Sequence, residues 1–281
     1  MPTPIPTTSL PDGETVRTLG QGTWHMGEYA ARRKQEVAAL RLGLELGMTL
    51  IDTAEMYASG VAEEIVGEAF AGRRDEIFIV SKVLPENATR RGTIAACERS
   101  LKRLTTDRID LYLLHWRGTP PLADTLETFA ALMQDGKIRH WGVSNFDADD
   151  MAELWGLKGG GGCATNQVLY NLSRRGIEYD LVPACAKKHV PIMAYSPIEQ
   201  GRLLRNKTLK EIGDRHRATP AQVALAWLLR QEGMIVIPKS SDETHVRENR
   251  AATDVQFTAA DLAALDQAFP PPKGPTSLEM L

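Results

Sequence analysis

The chain has 281 residues, of which 43% are apolar and 25% charged, and its formal net charge is −3 at pH 7. This is ordinary globular composition, and the length suits one barrel of alternating strands and helices. Lysine and arginine are scattered, which argues against a nucleic-acid partner, and the longest apolar stretches are far too short for a membrane span.

The first residues contain no basic region followed by an apolar run, so we expect no signal peptide and a cytoplasmic protein. Next, Pro11-Asp12-Gly13 predicts the turn of a short N-terminal β-hairpin. The three cysteines have no metal-ligand spacing and predict small buried apolar residues in a reducing compartment. They are Cys97, Cys163 and Cys185.

Eight short apolar runs rich in β-branched residues then predict buried parallel strands. They lie at 19–24, 49–52, 77–82, 110–115, 140–145, 164–168, 192–197 and 235–240. Between them, the runs at 37–44, 94–104 and 126–133 repeat apolar residues on one helical face. Thr219-Pro220 predicts a helix start, and Thr258 with Asp261 predicts a capping box for a last helix ending near Phe269.

Strand and helix alternating eight times predict an α/β fold, a (β/α)₈ TIM barrel, as a single domain over residues 1–281. The hairpin would cap the barrel floor. The alternative is an open doubly wound sheet, which normally carries G-x-G-x-x-G after its first strand. Gly20 and Gly22 match that motif, but His25 stands at the third position, so the barrel is favoured.

In such a barrel the catalytic groups lie at the C-terminal ends of the strands. The polar residues that end the runs are Asp52, Lys82, His115, Ser144, Asn145, Asn166, Gln167, Tyr195, Ser196, Lys239 and Ser240, with Tyr57 in the loop after the second run. Each has an ordinary structural explanation when taken alone, such as a helix cap or a core histidine. Together, four different acid–base side chains at one mouth favour catalysis.

Asp52, Tyr57, Lys82 and His115 suit the protonation of a carbonyl oxygen. A buried lysine needs a counterion, which Asp52 can supply. An ammonium beside a phenol favours the phenolate, so we expect Lys82 to lower the pKa of Tyr57 from about 10. Tyr57 would then act as the general acid and His115 would orient the substrate oxygen.

The sequence resembles the aldo-keto reductase family over nearly its whole length. The matching segments are GQGTWHMG, LIDTAEMYASG, IVSK, DLYLLHW, GVSNF, TNQVLYN, AYSP and IPKS, in that order. The resemblance implies that Asp52, Tyr57, Lys82 and His115 form a catalytic tetrad. It also implies NADPH-dependent reduction of small aldehydes or ketones.

The resemblance implies a nicotinamide cofactor, NADPH, extended across the mouth of the barrel. Ser144, Asn145 and Gln167 would bind the carboxamide, and Tyr195 would stack on the nicotinamide ring. The remaining residues implied at the cofactor are Gly22, Thr23, Trp24, Asp52, Ser196, Pro197, Ile198, Gln200, Gly201, Lys239, Ser240, Ser241, His245, Glu248 and Asn249.

One position departs from the family pattern at the adenosine end. His245 stands where the family commonly has an arginine, six residues after Lys239. A histidine is mostly neutral at pH 7 and lacks the fixed fork that arginine offers to a phosphate. Arg247 and Arg250 are near enough in sequence to compensate. We therefore expect NADPH, with NADH possible.

Trp24, His25, Tyr57, His115 and Trp116 are expected around the substrate. The loop after His115 and the C-terminal tail are short, which predicts an open, shallow site for small reactive carbonyls such as 2-oxoaldehydes, including methylglyoxal. We expect a monomer or weak dimer. Two alternatives are a cofactor-binding regulatory or redox-sensing subunit and a metal-dependent barrel hydrolase. No metal site is expected.

Overall fold

A computed structural model describes residues 4–281. Residues 1–3 lie outside the described residues. They belong to the predicted single domain and to the N-terminal segment from which we expect no signal peptide. The described chain begins with a hairpin in which β1 (Thr7–Ser9) pairs antiparallel with β2 (Thr15–Arg17). The predicted N-terminal hairpin is therefore confirmed.

Eight parallel strands follow in chain order around one sheet. They are β3 (Gln21–Gly22), β4 (Leu50–Asp52), β5 (Phe78–Val83), β6 (Ile109–Leu114), β7 (Ile138–Ser144), β8 (Asn166–Leu169), β9 (Ile192–Tyr195) and β10 (Met234–Val236). The last strand meets the first: the amide of Gly20 donates to the carbonyl of Val236 at 2.9 Å, and the amide of Val236 to Thr18 at 2.7 Å. These bonds close the sheet, so the predicted barrel is confirmed.

Ten helices accompany the strands in the part of the chain that is described. They are α1 (Arg33–Glu45), α2 (Val61–Ala69), α3 (Arg90–Leu104), α4 (Leu122–Gln134), α5 (Ala148–Gly156), α6 (Leu181–Lys187), α7 (Lys207–His216), α8 (Pro220–Leu229), α9 (Glu243–Ala251) and α10 (Ala259–Ala268). Thr219 and Thr258 both form the capping boxes that start α8 and α10, as predicted. None of these helices has the length and apolar character that crossing a membrane requires.

Alternate residues of the strands face two separate parts of the core. On β6, Leu111 and Leu113 point into the barrel, whereas Tyr112 and Leu114 pack in the layer between strands and helices. Both sides are buried, which explains why the strands are continuous apolar runs in the sequence.

The hairpin plugs the floor of the barrel. Leu10 and Val16 are 2% and 4% exposed and pack with Leu50, Phe78 and Val80 at the start of the barrel interior. This confirms the predicted cap and leaves the opposite, C-terminal ends of the strands as the open mouth.

The first and last barrel strands are shorter than predicted. β3 covers two of the six residues expected, and β10 ends before Ile237. Pro238 has no amide hydrogen and so cannot continue the ladder as a donor. A single bridge between Gly22 and Lys239 still joins the two segments beyond it.

Candidate active site

The mouth of the barrel gathers the polar residues that end the strands, and Tyr57 lies in the loop after β4. Three consecutive residues follow it in the left-handed region: Ala58 (φ +47°), Ser59 (φ +55°) and Gly60 (φ +94°). Non-glycine residues adopt this conformation only where their surroundings impose it. The strained turn directs the phenol toward the end of β5.

Lys82 is fully buried near the end of β5 and joins three partners. Its Nζ donates to Asp52 Oδ1 at 2.7 Å and to the carbonyl of Thr53 at 2.8 Å, and it lies 3.2 Å from the hydroxyl of Tyr57. Asp52 is 2% exposed and also accepts from Gln167 Nε2 at 2.8 Å. The ammonium thus has the counterion that the sequence predicted for it.

The sequence predicts that Lys82 lowers the pKa of Tyr57, but the net shift of this pKa is upward. Burial raises the pKa of Tyr57 well above its usual 10, and the carboxylate of Asp52 acts in the same direction. Burial likewise lowers the pKa of Lys82, against the opposing charges of Asp52 and Glu63. Because Asp52 cancels much of the ammonium's field, desolvation decides and the phenol keeps its proton.

His115 stands at the end of β6 with its ring edge-on to Tyr57, 5.9 Å between centroids. Burial lowers the pKa of His115 to about 2, and the charge of Lys82 adds to this effect. Its Nδ1 has no partner among residues 4–281. A neutral imidazole can donate one hydrogen bond to a substrate oxygen but carries no charge at neutral pH.

The predicted carboxamide site is one connected set of side chains. Ser144 Oγ donates to the carbonyl of Gln167 at 2.8 Å. Asn145 Nδ2 donates to the carbonyl of His115 at 3.1 Å, and its Oδ1 accepts from the hydroxyl of Tyr195 at 3.0 Å. These bonds fix the orientation of the Asn145 amide and place the Tyr195 ring beside it.

The loop that follows β9 contains five residues implied at the cofactor, from Ser196 to Gly201, and is anchored by a residue that sequence reasoning missed. Ser196, Gln200 and Gly201 all have positive φ. Glu199, 3% exposed, accepts from Asn171 at 2.7 Å and from Arg174 at 3.0 Å. The sequence shows only an acidic residue between Ile198 and Gln200, and its burial became visible in the structure. Pro197 is buried in this loop and Ile198 half-buried.

At the predicted adenosine end, Lys239 is half-buried, and no carboxylate of residues 4–281 lies within ion-pair distance of it. Its pKa is lowered by burial. Ser240 bonds to Asp242, and the hydroxyl of Ser241 is buried with no partner in the described part of the chain. His245 is exposed on the first turn of α9. Glu248 and Asn249 follow on the same helix.

Arg250 does not compensate for the missing arginine. It is 8% exposed, and its guanidinium donates to the carbonyl of Leu46 at 3.1 Å and to Thr253 Oγ1 at 2.7 Å. It therefore points into the packing between α9 and α1. Arg247 is exposed.

These residues fit an anionic dinucleotide. A desolvated lysine and an unsatisfied buried hydroxyl both gain from a phosphate, which supplies the missing charge and acceptor. Gly22, beside them, would place a Cβ only 2.9 Å from the carbonyl of Ile237. The backbone of β3 is thus tightly packed against the segment that leads from Ile237 to Lys239.

The predicted substrate wall surrounds the same mouth. Trp24 and Trp116 are half-buried, and Trp24 stacks on His25 at 4.1 Å between ring centroids. His25 is exposed and its Nδ1 lies 2.5 Å from Glu28. Thr23, fully buried, donates to the carbonyl of Asp52 at 3.0 Å, which ties the first strand to the tetrad.

A group with metal-compatible spacing among residues 4–281 lies at the barrel floor, remote from the mouth. Asp12, Glu14 and His140 place ligand atoms within 4.8 Å of one another. Glu14 accepts from Arg139 at 2.6 Å and pairs with His140 Nε2 at 2.6 Å, so its charge is already matched. The sequence did not reveal the group because 126 residues separate Glu14 from His140.

Comparisons with known proteins agree with this geometry. A model of the aldo/keto reductase family matches residues 18–269. The chain is 55% identical over 272 residues to methylglyoxal reductase YeaE of Escherichia coli, covering 95% of this chain and 96% of that protein. It is 34% identical over 262 residues to glyoxal reductase of Bacillus subtilis, covering 92% and 93%.

Solved structures of aldo-keto reductases have the same fold as this chain. A crystal structure of an aldo-keto reductase from Klebsiella pneumoniae in complex with NADPH has a TM-score of 0.97 and 48% identity, covering 99% of this chain and 100% of that one. A second, from the same organism, with NADP and acetate, has a TM-score of 0.96. Family match, high identity and near-identical fold all agree: the chain belongs to the aldo/keto reductase family of oxidoreductase enzymes.

Proposed function

We propose that this enzyme reduces small aldehydes, of which 2-oxoaldehydes such as methylglyoxal are the preferred class, using NADPH. The observation that carries the proposal is the buried ammonium of Lys82, which touches both Asp52 and the phenol of Tyr57 beside a neutral His115. This arrangement holds a proton next to the place where a carbonyl oxygen can be bound.

In this proposal Tyr57 is the proton donor. Its raised pKa keeps the hydroxyl protonated, and the proton leaves only when a stronger base forms beside it. The alkoxide that results from hydride addition to a carbonyl carbon is such a base. The O–H bond of Tyr57 breaks, the proton joins the alkoxide oxygen, and the ammonium of Lys82 stabilises the phenolate left behind.

His115 orients the substrate. Because its imidazole is neutral, Nε2 can carry the hydrogen and donate to the carbonyl oxygen while Nδ1 stays unprotonated. This bond would hold the oxygen within reach of Tyr57. Lys82 and Asp52 are both nearly inaccessible to solvent, which limits exchange of the Tyr57 proton with water.

NADPH would supply the hydride when bound. We propose that Ser144, Asn145 and Gln167 hold the carboxamide and that Tyr195 supports the nicotinamide ring. The rest of the cofactor would extend along the loop after β9 toward Lys239, Ser240, Ser241, His245, Glu248 and Asn249. Replacing Lys239 with methionine should weaken NADPH binding much more than NADH binding.

The substrate class rests on two supports. Relatives at 55% and 34% identity are named methylglyoxal reductase and glyoxal reductase. In this chain only six residues separate His115 from α4, so no long insertion covers the mouth on that side. Trp24, His25 and Trp116 would form the walls.

The experiment is a carbonyl panel with purified protein, following NADPH absorbance. Methylglyoxal should be turned over much faster than a bulky steroid ketone, and faster steroid turnover would defeat the proposed substrate class. Absence of turnover with every aldehyde, together with tight NADPH binding, would favour the regulatory-subunit alternative. Nothing in the mouth favours that alternative, because the four tetrad side chains are all in place.

The single domain over residues 1–281, the cytoplasmic location and the monomeric or weakly dimeric state stay predictions. Gel filtration with light scattering would test the last of these.

A further inference from the structure

The loop that carries Tyr57 rests on a buried ion pair behind the active site. Glu63, on α2, is fully buried. Its Oε2 accepts from Arg103 Nε of α3 at 2.6 Å, and its Oε1 accepts from the hydroxyl of Ser81 at 2.6 Å. One carboxylate therefore connects two helices and a barrel strand.

We propose that the Glu63–Arg103 pair is a positioning device that sets the distance between Tyr57 and Lys82, an inference that rests on the proposed function. Neither residue touches the mouth. The pair acts on the two sides of the tetrad separately, through the strained turn after Tyr57 and through the backbone of β5.

The first connection runs through Gly60. A Cβ at Gly60 would lie 2.5 Å from Arg103 Nε and 2.6 Å from its Cδ, so the backbone of the turn packs directly on the arginine. Gly60 ends the run of three left-handed residues after Tyr57. A turn in this conformation persists only when its surroundings hold it, and the arginine, itself held by Glu63, supplies that surface.

The second connection runs through Ser81. Side chains alternate along a strand, so Ser81 faces the helix layer while its neighbour Lys82 faces the barrel interior. The bond from Ser81 to Glu63 therefore fixes the strand position from which Lys82 extends. Ser81 and Glu63 are both fully buried, and water does not compete for this bond.

Glu63 also contributes charge. Asp52 on β4, Tyr57 in the following loop and His115 on β6 surround Lys82, and Glu63 on α2 acts on it by charge from the helix side of the strand. Glu63 raises the pKa of Lys82, against the lowering by burial. Loss of its charge should let Lys82 lose its proton at lower pH.

A second ion pair, between Arg99 and Glu55, is more exposed and longer than the Glu63–Arg103 pair. Arg99 lies one turn before Arg103 on α3. It pairs with Glu55, which precedes Tyr57 in the sequence, over a longer distance of 3.4 Å. The Arg99 side chain is 49% exposed, whereas that of Arg103 is 20% exposed. An exposed, long ion pair contributes little, so the buried pair should carry most of the positioning.

The test compares Glu63→Gln with Asp110→Asn, a matched change at the barrel floor. Asp110 is 1% exposed and accepts from Arg74 at 2.7 Å and Arg139 at 3.0 Å, so both variants remove a buried, arginine-paired charge. The measurements are single-turnover oxidation of NADPH by methylglyoxal across pH, the KM, NADPH affinity and thermal unfolding.

We expect Glu63→Gln to slow single turnover about tenfold to a hundredfold, because small displacements of reacting groups have effects of that size. NADPH affinity and the KM should change less than about twofold. The alkaline decline of its rate should begin at lower pH than in the wild type. Asp110→Asn should lower the unfolding temperature but leave the rate and its pH profile as they are.

A Glu63→Gln enzyme with wild-type rate and pH profile would overturn the inference, as would an equal rate loss in Asp110→Asn. Should Glu63→Gln not fold, Arg103→Lys replaces it, since it keeps one cation but loses the flat surface under Gly60. We expect a slower rate from that variant too, and a wild-type rate would overturn the inference. If Tyr57→Phe kept full turnover, the proposed function itself would fail, which is a distinguishable result.

Discussion

The Nζ of Lys82 lies 3.2 Å from the phenolic oxygen of Tyr57. The same ammonium is bound more closely by Asp52, at 2.7 Å. The phenol thus has a stabilising cation at hand for its ionised form, yet burial and the Asp52 carboxylate keep it protonated at rest. This combination suits an acid that must hold its proton until the substrate oxygen becomes basic.

Replacing Tyr57 with phenylalanine should remove the proton donor and little else. We expect turnover of methylglyoxal to fall about a hundredfold to ten-thousandfold, the usual contribution of a positioned general acid. Binding of NADPH should change by less than about twofold, as measured by quenching of protein fluorescence. Retention of most of the turnover would mean that the acid has been misassigned.

Replacing Lys82 with methionine should damage both activity and stability. The change leaves the carboxylate of Asp52 buried with Gln167 as its side-chain donor, and breaking a buried pair in this way costs about 3–5 kcal/mol. The double variant Asp52→Asn/Lys82→Met should recover much of the unfolding free energy in urea while remaining inactive. A double variant as unstable as the single one would contradict this account of the pair.

His115 should make the protein less stable in mild acid. Its pKa falls from 6.5 in the unfolded chain to about 2 in the folded one, so the unfolded chain binds the proton first as the pH falls below about 6.5. Titration of His115 therefore does not lower the free energy of unfolding above about pH 6.5. Below that pH it lowers the free energy of unfolding by about 1.4 kcal/mol per pH unit.

The comparison for this effect is His115→Gln, which keeps a polar side chain but does not titrate. The difference in unfolding free energy between wild type and variant should shrink steadily from about pH 6.5 to pH 4. A constant difference over that range would show that His115 is protonated in the folded protein.

Replacing His245 with arginine should strengthen the preference for NADPH. His245 is exposed on the first turn of α9, near Ser240 and Ser241, and an arginine there adds a permanent charge and a fork suited to a phosphate. We expect the ratio of NADH to NADPH dissociation constants to rise about threefold to tenfold. Thr244→Arg, the same charge one position earlier, is the control and should have a smaller effect.

The sequence by itself determined the architecture and which polar residues lie at the strand ends. Eight apolar runs ended by polar residues are enough to predict a barrel with those residues at its mouth, because parallel strands share one orientation. The hairpin turn at Pro11-Asp12-Gly13 and both capping boxes also depend on neighbours only a few residues away, and all are present in the structure.

Only the tertiary structure decided the electrostatics of that site. The pKa of Tyr57 depends on how completely its hydroxyl is desolvated and on whether Asp52 cancels the field of Lys82, and neither is a property of spacing along the chain. The direction of Arg250 and the Glu63–Ser81 bond were likewise beyond the sequence pattern. Local patterns set which groups meet, but burial and the full set of surrounding charges set what each group does, because both depend on residues far apart in sequence.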